Sequence, residues 1–132
     1  MKIEHFAINV EEPVAMADWY VDHLGMKVVK QSKEAPYTTF MADESGRVMI
    51  EIYKNPADQV PDYHKMDPLI LHLAFVSKDT EKDKQRLEKA GAGLVSDEQL
   101  KDGSQIVMMR DPWGLAIQFC KRGVPMLAEN ES

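Results

Sequence analysis

The sequence predicts an α+β protein made of two βαβββ modules, and three echoes within the chain carry that prediction. "IEHFAINV" at Ile3 returns as "ILHLAFVS" at Ile70, which sets His5 and His72 67 residues apart. "VMIEIYK" (Val48 to Lys54) returns as "LAIQFCK" (Leu115 to Lys121), so that Glu51 and Gln118 are also 67 apart. Finally, the turn sequence "DESG" ahead of Val48 is answered by "DPWG" ahead of Leu115. A fixed internal offset is the signature of a repeated supersecondary unit. The modules are residues 1–54 and 69–122, making a single domain over 1–122. A Pro-containing connector over 55–68, "NPADQVPDYHKMDP", joins them, and a polar tail over 123–132 follows.

Each element has a local reason. The first strand alternates, with Glu4, Phe6, Ile8 and Val10 on one face and His5, Ala7 and Asn9 on the other. Pro13 suits the opening turn of a helix, because the N–H it lacks has no partner there anyway. Met16, Trp19, Tyr20, His23 and Leu24 recur at helical spacing, and Gly25 stops the run. A second helix, from about Thr80 to Ala90, is mostly charged; Leu87 and Ala90 are its anchors, so it should be thinly buried. "KVVKQ", "YTTFMA" and "VMIEIYK" then read as strands of the first half, and "AGLVS", "SQIVMMR" and "LAIQFC" as those of the second.

Composition narrows the function. The formal net charge of −6 argues against a nucleic-acid surface, which needs a basic patch. One cysteine, Cys120, allows no internal disulfide and suits a reducing cytoplasm. No apolar run approaches the length of a membrane span, and the N-terminus lacks an apolar signal core.

Alternation places His5, Glu51, His72 and Gln118 on the strand faces opposite the apolar ones. Two imidazoles, a carboxylate and a weaker neutral amide suit one divalent ion such as Zn, Ni, Co, Fe or Mn. With one anionic ligand the site would be net +1 and would favour an anionic or enolate-like group. Taken singly, each residue has an ordinary structural reading: a strand His hydrogen-bonded to its surroundings, or a Glu paired with a Lys. The shared offset is what points to a metal. His23, on the inward stripe of the helix, and His64, in the connector, read as structural.

Together "IEHFAINV", "WYVDHLGMKVV", "VMIEIYK", "LHLAFVS" and "RDPWGLAIQF" resemble the glyoxalase/bleomycin-resistance/extradiol-dioxygenase group, the vicinal oxygen chelate superfamily, over residues 1 to about 122. The resemblance implies paired βαβββ modules in a curved mixed sheet, a metal held by His5, Glu51, His72 and Gln118, a small-molecule substrate and a homodimer. Within the group the chain is most similar to glyoxalase I, or lactoylglutathione lyase, in which a ligand carboxylate moves a proton next to a carbonyl; Glu51 is then the catalytic base. Asn9 and Asn55 are substrate-binding candidates on the same ground, and Trp113, read from "DPWG" as a turn or rim aromatic, is a third candidate by stacking. Two positions depart from the pattern: Gln118 replaces a usual Glu, and Asn9 stands where glutathione users commonly carry an Arg. Two other functions fit the fold. One is a metal-independent binding protein of the bleomycin-resistance type, the other a non-haem iron dioxygenase, whose carboxylate normally comes from the Gln118 position.

Overall fold

The computed structural model describes residues 1–127, which form two compact units that divide between Pro61 and Asp62. The connector is therefore shared: its first part stays with the first unit, and residues from Asp62 onward belong to the second. Residues 128–132 of the expected polar tail lie outside the described residues.

The first unit contains β1 (His5–Asn9), α1 (Pro13–Leu24), β2 (Lys27–Gln31), β3 (Thr39–Ala42) and β4 (Met49–Tyr53). Its four-stranded sheet runs in the order β1-β4-β3-β2. β1 pairs parallel with β4, and the other pairs are antiparallel. α1 begins with Pro13 and ends at Gly25, whose φ of 68° is the left-handed conformation that glycine enters without steric cost. The helix packs Met16, Ala17 and Tyr20 into a core with Ile8, Val10, Met41 and Ile52, all buried. The opposite sheet face carries His5, Asn9 and Glu51 among Ala7, Phe40 and Met49.

The second unit contains a one-turn 3₁₀ helix (Tyr63–Lys65), then β5 (Leu73–Val76), α2 (Thr80–Lys89), β6 (Gly93–Gln99), β7 (Gln105–Arg110) and β8 (Ala116–Lys121). Its sheet order, β5-β8-β7-β6, repeats that of the first. Asp79 caps α2 by accepting from the Lys82 N–H at 3.0 Å. Thr80 and Leu87 are the buried residues of this helix, so it is held thinly, as its charged sequence predicts. Below it, Phe75 stacks on Phe119 with ring centroids 5.8 Å apart.

The repeat extends to register. His5 lies opposite Met49 and Ala7 opposite Glu51; Ala74 lies opposite Gln118, the same pairing displaced by 67 residues. Even the irregularities recur, with a bulge between Val28 and Lys30 in β2 and another between Leu94 and Ser96 in β6. None of the helices among the described residues is long and apolar enough to cross a membrane.

Candidate functional site

Paired residues on neighbouring strands point to the same side of a sheet. In the first unit this puts His5, Ala7 and Asn9 of β1 beside Met49, Glu51 and Tyr53 of β4 and Phe40 of β3, on the face away from α1. His5 Nε2 stands 3.4 Å from Glu51 Oε1, and its ring meets Phe40 edge-on at 5.4 Å between centroids. The other ring nitrogen, Nδ1, bonds Glu4 Oε1 at 2.8 Å. A carboxylate oxygen can only accept, so Nδ1 carries a proton in this bond and Nε2 is the ring nitrogen turned toward Glu51. A proton on Nε2, or a metal ion between the two groups, satisfies both.

In the second unit His72 sits one residue before β5, a position earlier than alternation alone suggests. Its Nδ1 bonds the main-chain carbonyl of Pro68 at 2.8 Å. The carbonyl also only accepts, so this imidazole too carries its proton on Nδ1 and leaves Nε2 available. On β8, the Gln118 amide oxygen accepts from Cys120 Sγ at 3.4 Å, and Arg122 reaches the same sulfur at 3.9 Å. Cys120 is buried, which raises its thiol pKa, an effect partly opposed by the charge of Arg122. It shares the sheet face of Gln118, as the alternation predicts, since both are on β8 two residues apart.

The three residues expected to contact substrate each take part in bonds within the chain. Asn9 donates from Nδ2 to the carbonyls of Pro56 (2.8 Å) and Gln59 (3.2 Å) and accepts from the Asn55 N–H at 2.6 Å. Its amide thus ties the end of β1 to the loop after β4. Asn55 is exposed, and its backbone takes part in that tie. Trp113 is half-buried in the turn between β7 and β8, where its main-chain N–H donates to Asp111 Oδ1 at 2.9 Å. His23 packs on Trp19 at 5.2 Å between centroids, a structural placement.

Among the described residues no group of three or more His, Cys, Asp or Glu side chains gathers to hold a metal. Each unit contains two of the four expected donors: His5 and Glu51 stand together in the first, while in the second His72 bonds Pro68 and Gln118 bonds Cys120. The first pair has suitable spacing. Donors about 2.0–2.2 Å from a zinc-like ion stand roughly 3.4 Å apart at a tetrahedral angle, and His5 Nε2 and Glu51 Oε1 are 3.4 Å apart. The residues of the first unit fit half of a divalent site. Glu4 and the Pro68 carbonyl, which bond the two histidines, are missed by sequence patterning, whereas alternation already sets Cys120 beside Gln118. Only Glu4, as the immediate neighbour of His5, offered a signal.

A family model, Glyoxalase/Bleomycin resistance protein/Dioxygenase superfamily, matches residues 2–119. The chain belongs to this superfamily. Solved structures of glyoxalase-superfamily proteins and their likenesses share the fold at low identity. A glyoxalase family protein from Bacillus cereus is 18% identical with a TM-score of 0.76, over 92% of this chain and 94% of that one. TnmS3, an antibiotic binding protein from Streptomyces sp. CB03234, is 16% identical with a TM-score of 0.72, over 92% and 96%. A lactoylglutathione lyase from Agrobacterium tumefaciens is 20% identical with a TM-score of 0.63, over 89% and 91%. Among curated protein sequences nothing matches. Both enzymes and binding proteins thus share the architecture, and activity has to be argued from the side chains.

Proposed function

We propose that this chain is a metal-dependent, glyoxalase-like lyase or isomerase that moves a proton next to the carbonyl of a small oxygenated or thiohemiacetal substrate. The observation supporting it is the facing pair, His5 Nε2 and Glu51 Oε1, with the other nitrogen of His5 already committed to Glu4. His72, with its Nδ1 committed to Pro68, repeats the preparation in the second unit. His5, Glu51, His72 and Gln118 are the proposed ligands of one divalent ion.

A bound divalent ion would polarise the substrate carbonyl and acidify the adjacent C–H. Glu51 is the base. It takes the proton from carbon and returns it to the neighbouring one. Gln118 has no basic oxygen at physiological pH and serves only to hold. Phe40 and Met49 supply an apolar wall beside Glu51, which keeps a carboxylate reactive by limiting its hydration.

A second reading is a small-molecule binding protein, favoured by Gln118 in place of a second carboxylate and by the likeness to TnmS3. Metal content separates the two. Protein purified without added metal should carry about one divalent ion per chain, and His5→Ala and His72→Ala should each lose most of it, as second-rate coordination does not retain an ion. His23→Ala is the control. Unchanged metal in both variants removes the site; turnover of methylglyoxal with several thiols then tests the reaction itself.

A further inference from the structure

The acceptor that orients His72 is a main-chain oxygen in the connector, so its position depends on what holds the connector. Between Tyr63 and Met66 that segment is held by the side chain of Arg110. Arg110, at the end of β7, donates from one terminal nitrogen to the carbonyls of Tyr63 (2.7 Å) and Gly114 (3.0 Å), and from the other to the carbonyl of Met66 (2.9 Å). All three acceptors are main-chain oxygens, and the guanidinium is only partly exposed. A planar fork with fixed donors is suited to such a clamp, and a lysine is not.

The turn after Arg110 completes the clamp. Asp111, buried, accepts from the N–H groups of Trp113 (2.9 Å) and Leu115 (3.0 Å). Gly114 lies between them at φ 91°, and a Cβ there would come within 2.5 Å of His64 Cγ and 2.6 Å of the His64 nitrogen. The connector therefore rests directly on a bare α-carbon. Two residues past Met66, Pro68 presents its carbonyl to His72 Nδ1.

We infer that Arg110 is a positioning residue for His72: with Gly114 it clamps the connector, and the clamped Pro68 carbonyl sets the Nδ1–H tautomer that leaves Nε2 free as a ligand. The tautomer claim concerns the metal-free protein; its use as a ligand rests on the metal-site reading above. His5 provides a contrast within the chain, since its Nδ1 acceptor is the exposed Glu4 carboxylate and owes nothing to the connector.

The test is the long-range proton–nitrogen spectrum of the histidine rings in metal-free protein, at a pH where imidazole is neutral. Wild type should show His72 as the Nδ1–H tautomer. Arg110→Gln should convert it to a mixture with Nε2–H while His5 stays unchanged, and Gly114→Ala, which displaces His64 rather than removing a charge, should do the same. Cobalt(II) titration should show binding weakened about 10-fold or more in both, the usual effect of losing an outer partner of a histidine ligand. Arg110→Lys, which keeps the charge but not the fork, should restore little; it also replaces Arg110→Gln if that variant does not fold. Folded variants that retain the wild-type His72 tautomer would overturn the inference. If wild type itself binds no cobalt, the metal reading fails, and the ring spectra still decide the clamp.

Discussion

At the scale of single residues, Glu51 bears the most weight. A metal-bound carboxylate is a weak base until it loosens from the ion, and an amide in its place still ligates but accepts no proton. Glu51→Gln should therefore keep substantial metal while turnover falls by about 10²–10⁴-fold, the usual contribution of general acid–base catalysis. Steady-state kinetics beside metal analysis check this; near-wild-type turnover would leave Glu51 a ligand only. Cys120 gives a prediction of the opposite kind. Burial raises its pKa, so the reactive thiolate is scarce at neutral pH and grows only as pH rises past the ordinary thiol range. Alkylation of native protein should be much slower than of urea-unfolded protein at the same pH, followed by mass spectrometry. His5, Glu51, His72 and Gln118 stand out in the sequence because they are polar side chains that repeat at one offset. The sequence left Pro68 and the ties of Asn9 and Arg110 illegible, because those bonds use main-chain oxygens. Which carbonyl lies near a side chain depends on the path of an aperiodic connector.

At the scale of elements, the strands and helices follow from alternation, helical spacing and their punctuation: Pro13 opens α1, Gly25 closes it, and Asp79 caps α2. The 3₁₀ turn at Tyr63–Lys65 had no such pattern to announce it. The two helices differ in how they are held. α1 contributes a broad apolar face, while α2 depends on Leu87, fully buried among charged neighbours. Leu87→Ala should cost about 2–5 kcal/mol, the range for a buried leucine leaving a cavity. Asp79→Ala should cost about 1 kcal/mol, the value of an N-cap. Urea denaturation measures both, and equal effects would mean that α2 is held by its polar contacts instead. The cap's contribution is smaller because water replaces part of it.

For the whole molecule, β1 and β5 are the outer strands of their sheets and each leaves one edge unpaired within its own sheet. Ile3 and Phe6 are exposed beside the first, and Leu69, Ile70 and Val76 beside the second. Unpaired edges with apolar neighbours favour association, and a homodimer is the expected state. Light scattering at tens of micromolar protein checks it, with a monomer counting against it. The duplicated register was readable from the sequence as an offset of 67, except that β3 and β7 are displaced by one residue more: Phe40 faces Glu51, and Met108 faces Gln118. That slip lies in the turns that follow, residues 43–48 between β3 and β4 against 111–115 between β7 and β8, whose lengths no strand pattern encodes.

The parallel pairing of β1 with β4 also sets a timetable for synthesis. β2 with β3, and β3 with β4, are neighbours in the chain and can zip as soon as they are made. β1 has no such neighbour: His5 must wait for Met49, and Asn9 for Tyr53. Closing so long a loop is slower than zipping a hairpin. A nascent chain that ends before residue 49 therefore carries its first strand unpaired, and one that has passed Pro61 holds everything its first sheet requires. The second half repeats the delay, with Leu73 waiting for Ile117. Synthesis thus presents the cell with an unpaired strand twice, once in each half, and each time release comes only with the last strand of the module.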